Sequence, residues 1–189
     1  MDTKNANYSY GSLQKILEIG LTNVGLQSVE NLLLLGMGGG SVIKSLRETF
    51  EYKNNIVAVE IDPEVIRLAK NEFGISASEK LQIVQEDAFE YVKTFNSSAG
   101  TEEKFQLIII DLFIDLNVPP VFFEKEFCQN VSSLLQKNGF IIFNVGVNLD
   151  KNSDVVEKLI ANLGNDFDFK TLTKVNGTNT LLIAQRINI

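Results

Sequence analysis

The sequence predicts an α/β protein with a doubly wound, mostly parallel β-sheet that finishes in an antiparallel hairpin. Short apolar runs alternate with amphipathic stretches along most of the 189 residues, which is the pattern of βαβ units. The first apolar run passes directly into a glycine-rich loop at residues 36–40. Near the end of the chain, two strand-like runs flank Asn176-Gly177, a dipeptide typical of a tight hairpin turn.

The apolar runs mark the strands. Each of the first five is short, rich in leucine or β-branched residues and bounded by polar residues or glycine, which is typical of buried strands. The last two belong to the hairpin. The predicted strands are residues 31–36, 55–61, 81–85, 105–110, 140–145, 167–175 and 180–187.

The amphipathic stretches predict helices, because their apolar residues recur at helical spacing. In the clearest one, Asp62 is a good N-cap, Pro63 suits the first helical position and Gly74 is placed to end the helix. Another helix begins near Phe123 and is expected to close at Asn138-Gly139. The remaining predicted helices are residues 41–50, 88–95 and 153–163.

Two segments fall outside this alternation. Residues 111–121 contain Pro119-Pro120 and are predicted to form a loop. Residues 1–30 carry apolar residues at helical spacing and are predicted to form a leading helix or a lid. Because no linker separates them from the rest, we expect a single domain over residues 1–189.

The composition excludes several classes of chemistry. The chain has no histidine and one cysteine, Cys128, so Ser-His and Cys-His catalytic pairs and the common zinc sites are excluded and no metal site is expected. Cys128 is expected to be a small buried residue. The net charge of −7 argues against a nucleic-acid partner and is compatible with a cationic substrate. A polar start and no long apolar run predict a cytoplasmic protein without a membrane partner.

The strongest functional signal is the glycine-rich loop, which joins a strand to a helix. Glycine lets the backbone approach a ligand, and the start of the helix favours negative charge. The dinucleotide fingerprint needs glycine at position 41, where this chain has Ser41. The pattern present is more typical of S-adenosylmethionine sites, so Gly36, Gly38 and Gly40 are predicted cofactor-binding residues. The alternative is a tight turn that binds nothing.

Acidic residues follow three of the predicted strands. Glu60 lies 20 residues after Gly40, where an acid binds ribose hydroxyls in doubly wound folds; the alternative is a solvated acid. Asp87 either accepts a hydrogen bond from an adenine amino group or caps the next helix. Asp111 and Asp115 enter the loop that covers the reactive centre and are the candidate catalytic residues, with turn acids as the alternative.

Several motifs in order resemble the spermidine synthase-like branch of the S-adenosylmethionine-dependent methyltransferase superfamily. The resemblance runs from about Asn31 to Val145 and includes LLLLGMGGGS, IVAVEIDPEVIRLAK, IVQEDAFEYV, IIIDLF and NVPPVFFEKEFCQNVSSLLQKNGFIIFNV. It implies the class I methyltransferase fold, with a seven-stranded sheet whose last strand is antiparallel. It also implies a cofactor whose amino-acid part lies over the glycine loop. The cofactor-binding residues that it implies are Gly36, Gly38, Gly40, Glu60, Ile61, Asp87, Ala88 and Asp111.

Two departures from that branch bear on the ligand. Spermidine synthases have an aspartate in the glycine loop where this chain has Gly39, and a D-S-x-D motif whose second acid is Ile114 here. Asp115 lies one residue later. A decarboxylated cofactor presents a cationic amine that needs acids, whereas full S-adenosylmethionine also presents a carboxylate, which suits backbone N–H groups. The departures therefore favour S-adenosylmethionine over its decarboxylated form.

The expected function is S-adenosylmethionine-dependent methyl transfer to a small-molecule or protein acceptor. Asp111 would orient or deprotonate the acceptor, and Tyr8 and Tyr10 would close over it. Two alternatives stay open: aminopropyl transfer to a polyamine, and a non-catalytic nucleoside-binding or assembly subunit. By analogy with spermidine synthases, the chain is expected to form a homodimer.

Overall fold

The computed structural model describes residues 2–3, 6–7, 12–98, 104–147, 149 and 154–187. A seven-stranded sheet forms the centre of this part of the chain, and helices cover both of its faces. The strands of this sheet are β1 (Asn31–Leu35), β2 (Asn55–Glu60), β3 (Leu81–Gln85), β4 (Phe105–Ile110), β5 (Leu135–Val147), β6 (Phe167–Val175) and β7 (Asn179–Arg186). Asp2–Thr3 and Ala6–Asn7 form a separate antiparallel pair of two-residue strands. The helices are α1 (Ser12–Leu21), α2 (Ser41–Glu48), α3 (Pro63–Phe73), α4 (Ala88–Ser98), α5 (Lys125–Leu134) and α6 (Val155–Leu163).

The strand order of this sheet is β3-β2-β1-β4-β5-β7-β6, and its strands β1 to β5 run parallel. Strand β7 lies between β5 and β6 and is antiparallel to both. The order reverses between β1 and β4, which creates a crevice at the carboxyl ends of the strands where doubly wound folds bind ligands. The predicted fold class is confirmed, including the antiparallel hairpin.

The sequence of β1 shows why the sheet is buried on both faces. Residues 32–35 are four consecutive leucines, each 0% exposed. Alternate side chains point to opposite faces of a strand. Leu33 and Leu35 therefore pack with α4, α5 and α6, whereas Leu32 and Leu34 pack with α1, α2 and α3. A continuous apolar run is the pattern expected of a central parallel strand.

Helix α3 begins and ends as predicted. The Oδ1 atom of Asp62 accepts a hydrogen bond from the backbone N–H of Glu64 at 2.8 Å, and Pro63 occupies the first helical position. Gly74 ends the helix in the left-handed conformation, with φ 70°. The N-cap Asp62 follows two residues after Glu60, which is the last residue of β2.

The prediction that Asn138-Gly139 closes a helix is wrong. Helix α5 ends at Leu134, and Asn138 lies inside β5 with φ 61°, where the pairing with β4 changes register. The Arg186 guanidinium donates hydrogen bonds to the carbonyls of Ser132 and Leu135, both at 2.9 Å. An arginine from β7 thus satisfies the end of the helix, and the turn-like dipeptide forms a strand irregularity instead.

The leading helix and the tight hairpin turn that were predicted for the two ends of the chain are both present in the described residues. The segment before β1 contains α1, whose Ile16, Leu17 and Leu21 are buried against the sheet. The β6–β7 turn passes through Asn176 and Gly177, both with positive φ. Tyr8 and Tyr10, predicted to close over the acceptor, lie outside the described residues, and the single domain over residues 1–189 stays a prediction. No helix in the described ranges is long and apolar enough to cross a membrane.

Candidate active site

A cavity of about 440 Å³ opens at the carboxyl ends of β1 to β4, in the crevice where the strand order reverses. Most of the predicted site residues line it, although they come from four separate parts of the chain. The predicted residues that line the cavity are Gly36, Gly38, Glu60, Ile61, Asp87, Ala88, Asp111 and Asp115. Gly40 is not among the described lining residues.

Gly36 allows the ends of β1 and β4 to meet. Its φ is +86°, and a Cβ at this position would lie 2.2 Å from the carbonyl oxygen of Asp111. No other residue can take this conformation with so little space. The N–H groups of Gly36 and Met37 both donate to the carbonyl of Val59, at 3.0 and 3.1 Å, and this ties the loop to β2. The loop therefore lies against both neighbouring strands.

Gly40 has a different reason to be glycine. It is the N-cap of α2 with φ 84°, and a Cβ there would lie 2.6 Å from Cγ1 of Ile75, behind the loop. Its predicted contact with a cofactor stays a prediction. The first N–H groups of α2, at Ser41 and Val42, have no partner within the helix because of their position, and both residues line the cavity. The start of α2 can therefore accommodate an anionic group.

Glu60 is held with both carboxylate oxygens oriented by the backbone. Oε2 accepts a hydrogen bond from the N–H of Gly38 at 2.9 Å, and Oε1 accepts one from the N–H of Asp62 at 3.1 Å. Each carboxylate oxygen can accept a further bond, so the group matches two neighbouring hydroxyls of a ribose. Beside it, Ile61 is 59% exposed and forms an apolar part of the cavity wall.

Asp87 caps α4, which was one of its two predicted roles. Its Oδ1 atom accepts hydrogen bonds from the N–H groups of Phe89 and Glu90, at 2.8 and 3.2 Å. Both bonds use the same oxygen, and the residue lines the cavity next to the buried Ala88. The adenine contact stays a prediction that this geometry permits.

Asp111 lies in the interior of the site. Its N–H donates to the carbonyl of Leu35 at 2.9 Å, so the end of β4 is fixed to β1. Its Oδ1 accepts a hydrogen bond from Nδ2 of Asn144 at 2.8 Å. Burial raises the pKa of the Asp111 carboxyl from 3.8 to about 6, and the bond from Asn144 opposes part of that rise. A carboxylate with this pKa can accept a proton near neutral pH.

Asp115 occupies a different environment from Asp111. It is exposed at the cavity mouth with φ 55°, in a turn closed by two backbone bonds between Ile114 and Asn117, at 2.9 and 3.1 Å. Its neighbours are apolar: Ile114 is 68% exposed, and Leu116 and Val121 are 47% and 43% exposed. All three line the cavity. The mouth is therefore largely apolar, with an acid at its edge.

Sequence reasoning missed Asn144 and Asn179. Both amides are 1% exposed and lie near the end of the sheet that carries Asp111. The available signal was a lone asparagine in the apolar run of β5, since a polar residue in a buried strand needs a specific partner.

Comparison with known proteins gives one matching family and two kinds of related transferase. The model of the family described as "Spermine/spermidine synthase domain" matches residues 16–174. The human eEF1A lysine and N-terminal methyltransferase is 27% identical over 161 residues, which cover 82% of this chain and 22% of that protein. The polyamine aminopropyltransferase of Vibrio vulnificus strain CMCP6 is 31% identical over 116 residues, which cover 61% of this chain and 37% of that protein. The chain thus spans well under half the length of these relatives.

Solved structures that share the fold include a human methyltransferase-like protein and a bacterial spermidine synthase-like protein. Human methyltransferase-like protein 13, in complex with SAH, superposes with a TM-score of 0.75 and 24% identity, covering 95% of this chain and 83% of that one. A probable spermidine synthase from Corynebacterium glutamicum ATCC 13032 superposes with a TM-score of 0.73 and 18% identity, covering 93% and 64%. At these identities the likeness shows the fold, which is the predicted class I methyltransferase architecture.

Proposed function

The chain belongs to the spermine/spermidine synthase domain family, and from that premise we propose that it is an S-adenosylmethionine-dependent methyltransferase. When bound, S-adenosylmethionine supplies a methyl group that the sulfonium already activates. One observation carries the proposal. A single cavity holds the two acceptor oxygens of Glu60 and the carboxylate of Asp111, which can accept a proton. At the same time, Gly39 and Ile114 stand where spermidine synthases have two acidic residues.

The described residues fit the nucleoside part of this cofactor. Glu60 offers its carboxylate to the two ribose hydroxyls, and the exposed Ile61 offers an apolar surface to the adenine ring. The Oδ2 atom of Asp87, which takes no part in capping α4, can accept from the adenine amino group. These groups are oriented by the backbone before any ligand arrives, which reduces the cost of ordering them on binding.

The amino-acid part of the ligand distinguishes the two forms of the cofactor. Four N–H groups of the loop already donate within the protein, at Gly36, Met37, Gly38 and Gly40. The first turn of α2 is then the natural place for a carboxylate, and only full S-adenosylmethionine carries one. Gly39 supplies no carboxylate for the amine of a decarboxylated cofactor.

The residues at the reactive end support methyl transfer by alignment and proton removal. Holding the acceptor in line with the activated methyl group can supply much of the rate. Asp111 accepts the proton that the acceptor nitrogen or oxygen must lose. With a pKa of about 6, Asp111 is mostly ionised at pH 7.5, and transfer should decline below about pH 6 as it becomes protonated.

Aminopropyl transfer to a diamine is the second candidate, because the matched family and the Vibrio relative both carry that name. It needs acids that hold a dication. Asp111 and Asp115 both line the cavity, but Ile114, Leu116 and Val121 surround the mouth with apolar surface. Such a mouth favours an acceptor with apolar groups next to its nucleophile.

The test is transfer of a labelled methyl group from S-adenosylmethionine to a panel of acceptors. The panel contains proteins with free lysine and N-terminal amines, small apolar alcohols and amines, and putrescine. We expect labelled product from at least one non-polyamine acceptor, and a loss of at least about 100-fold in Asp111→Asn with cofactor binding retained. Asp168→Asn removes the same charge from an exposed residue of β6 that is not among the described lining residues, and it is the matched control for charge. Spermidine formed from putrescine and the decarboxylated cofactor, without methyl transfer, would overturn the proposal.

A further inference from the structure

A row of polar side chains crosses the apolar sheet from the surface to Asp111. The Thr178 hydroxyl donates to Oδ1 of Asn179 at 2.8 Å, and Nδ2 of Asn179 donates to Oδ1 of Asn144 at 2.9 Å. Nδ2 of Asn144 then donates to Oδ1 of Asp111 at 2.8 Å. Thr178 is exposed in the β6–β7 turn, whereas both asparagines are 1% exposed. The row therefore links a surface turn to the interior of the active site.

The row has a direction that follows from the chemistry of an amide. Each asparagine side chain has donors on one side and an acceptor on the other. Because Asn179 directs its NH₂ group at the oxygen of Asn144, Asn144 must direct its own NH₂ group at Asp111. If the Asn144 amide were turned over, its oxygen would face the carboxylate of Asp111 and its NH₂ group would face the NH₂ group of Asn179. Both contacts would be repulsive while Asp111 is ionised, so the Asp111 carboxylate and the NH₂ group of Asn179 together hold the Asn144 amide in one orientation.

The backbone around Asn144 is irregular at this place. Asn144 is paired with Leu181 of β7, and the register of the β5–β7 pair shifts between Asn144 and Gly146. Such bulges redirect side chains and are common next to active sites. After the shift, Val147 is paired with Asn179, and Val147 also lines the cavity. The irregularity thus places Asn179 of β7 beside a residue of β5 that lines the cavity.

We propose that Asn144 is a positioning residue that holds the Asp111 carboxylate in its proton-accepting orientation, and that Asn179 acts through Asn144. This inference rests on the proposed function, in which Asp111 removes the proton of the acceptor. Neither asparagine is among the described residues that line the cavity, so neither contacts the substrate directly. Their role is to give a partly buried carboxylate one fixed donor, so that the other oxygen remains available to the acceptor.

The donor of Asn144 also favours the ionised form of Asp111, because a hydrogen bond to a carboxylate stabilises the charge. The other acids at the cavity are Asp115 in the same loop, Glu60 after β2, and Glu86 and Asp87 after β3. None of them is among the causes that act on the pKa of Asp111, which are burial and the bond from Asn144. Removing the donor should therefore raise the pKa of Asp111 further, whereas a purely structural role for Asn144 predicts no such change.

The experiment compares Asn144→Ala and Asn179→Ser with wild type. The pKa of Asp111 is measured by ¹³C NMR titration of its carboxyl group, the acid limb of methyl transfer by its pH profile, and cofactor affinity by calorimetry. We expect Asn144→Ala to raise the pKa by about one unit or more and to move the acid limb with it, because hydrogen bonds to charged groups are the strong ones. Asn179→Ser should move both in the same direction by less. Cofactor affinity should stay within about twofold, since Glu60 and α2 are untouched.

Thr180→Val is the matched control, because Thr180 is a buried polar residue of β7 that takes no part in the row. It should leave the pKa of Asp111 and the pH profile unchanged. An unchanged pKa in Asn144→Ala, measured in a protein whose wild type is active, would overturn the positioning role. If Asn144→Ala does not fold, Asn179→Ser carries the same test from one bond further away. An inactive wild type would instead overturn the proposed function, and this is seen before any variant is made.

Discussion

Replacing Asp111 with asparagine should stabilise the protein while lowering its activity at least about 100-fold. Asp111 ionises near pH 3.8 in an unfolded chain, and burial raises its pKa to about 6 in the folded protein. The folded protein therefore holds a proton that the unfolded chain releases, and the free energy of unfolding falls as the pH rises from about 4 to about 6. Above pH 6, the wild type carries the whole cost of a partly buried charge.

The size of that cost follows from the difference between the two pKa values. Each pKa unit corresponds to about 1.4 kcal/mol, so the difference sets an upper value of about 3 kcal/mol. Because the carboxylate faces the cavity and keeps some water there, we expect Asp111→Asn to gain about 1–3 kcal/mol at pH 8. Asparagine retains an oxygen that can accept the bond from Asn144, so the substitution leaves no buried donor unpaired.

The assay is urea-induced unfolding of wild type and Asp111→Asn at several pH values between 4 and 8. The two proteins should differ little near pH 4 and should diverge as the pH rises, with the variant the more stable. Asp168→Asn removes the same charge from an exposed position of β6 and controls for net charge. If Asp111→Asn were less stable than wild type at pH 8, or if the difference in stability did not depend on pH, the conclusion that the ionised Asp111 destabilises the fold would be refuted.

Three further predictions concern the loop, the nucleoside site and the cysteine. Gly36→Ala should cost more than about 3 kcal/mol in urea unfolding, because its Cβ would meet the Asp111 backbone, whereas Gly74→Ala, with positive φ and open space around it, should cost only about 1–2 kcal/mol. Glu60→Gln should weaken S-adenosylmethionine binding by about 10–100-fold in calorimetry, because it loses an acceptor and turns an NH₂ group toward a backbone N–H. Glu64→Gln, at an exposed position, is the control for this substitution. If Glu60→Gln bound S-adenosylmethionine as tightly as wild type does, the assignment of Glu60 to the ribose would be contradicted. Cys128 should react with a thiol reagent only after unfolding, because burial raises the pKa of its thiol to about 12; rapid labelling of the native protein would contradict its burial.

Much of this fold was readable in the sequence because local and global signals agree. The four leucines of residues 32–35, followed directly by glycines, favour a short strand with two covered faces, and Asp62-Pro63 with Gly74 marks both ends of α3. The carboxyl ends of parallel strands meet at one edge, so the order of strand and acid was enough to bring Glu60, Asp87 and Asp111 to a single cavity.

The features that escaped prediction depend on contacts between distant residues. Asn138 looks like a helix-ending residue, but Arg186, far along the chain, satisfies the end of α5 and leaves Asn138 in a strand. Gly40 looks like part of a ligand-binding loop, yet its lack of a side chain makes room for Ile75. The link from Asn144 to Asn179 depends on the register of β5 and β7, which no local pattern specifies.

The most direct test of the methyltransferase assignment is calorimetric titration of the wild-type chain with S-adenosylmethionine and, side by side, with its decarboxylated form. The start of α2 favours a carboxylate, and glycine replaces the acid that an unpaired amine would need. We therefore predict that S-adenosylmethionine binds at least about tenfold more tightly, which corresponds to about 1.4 kcal/mol. Equal binding of the two forms would contradict this account, and tighter binding of the decarboxylated form would favour aminopropyl transfer instead.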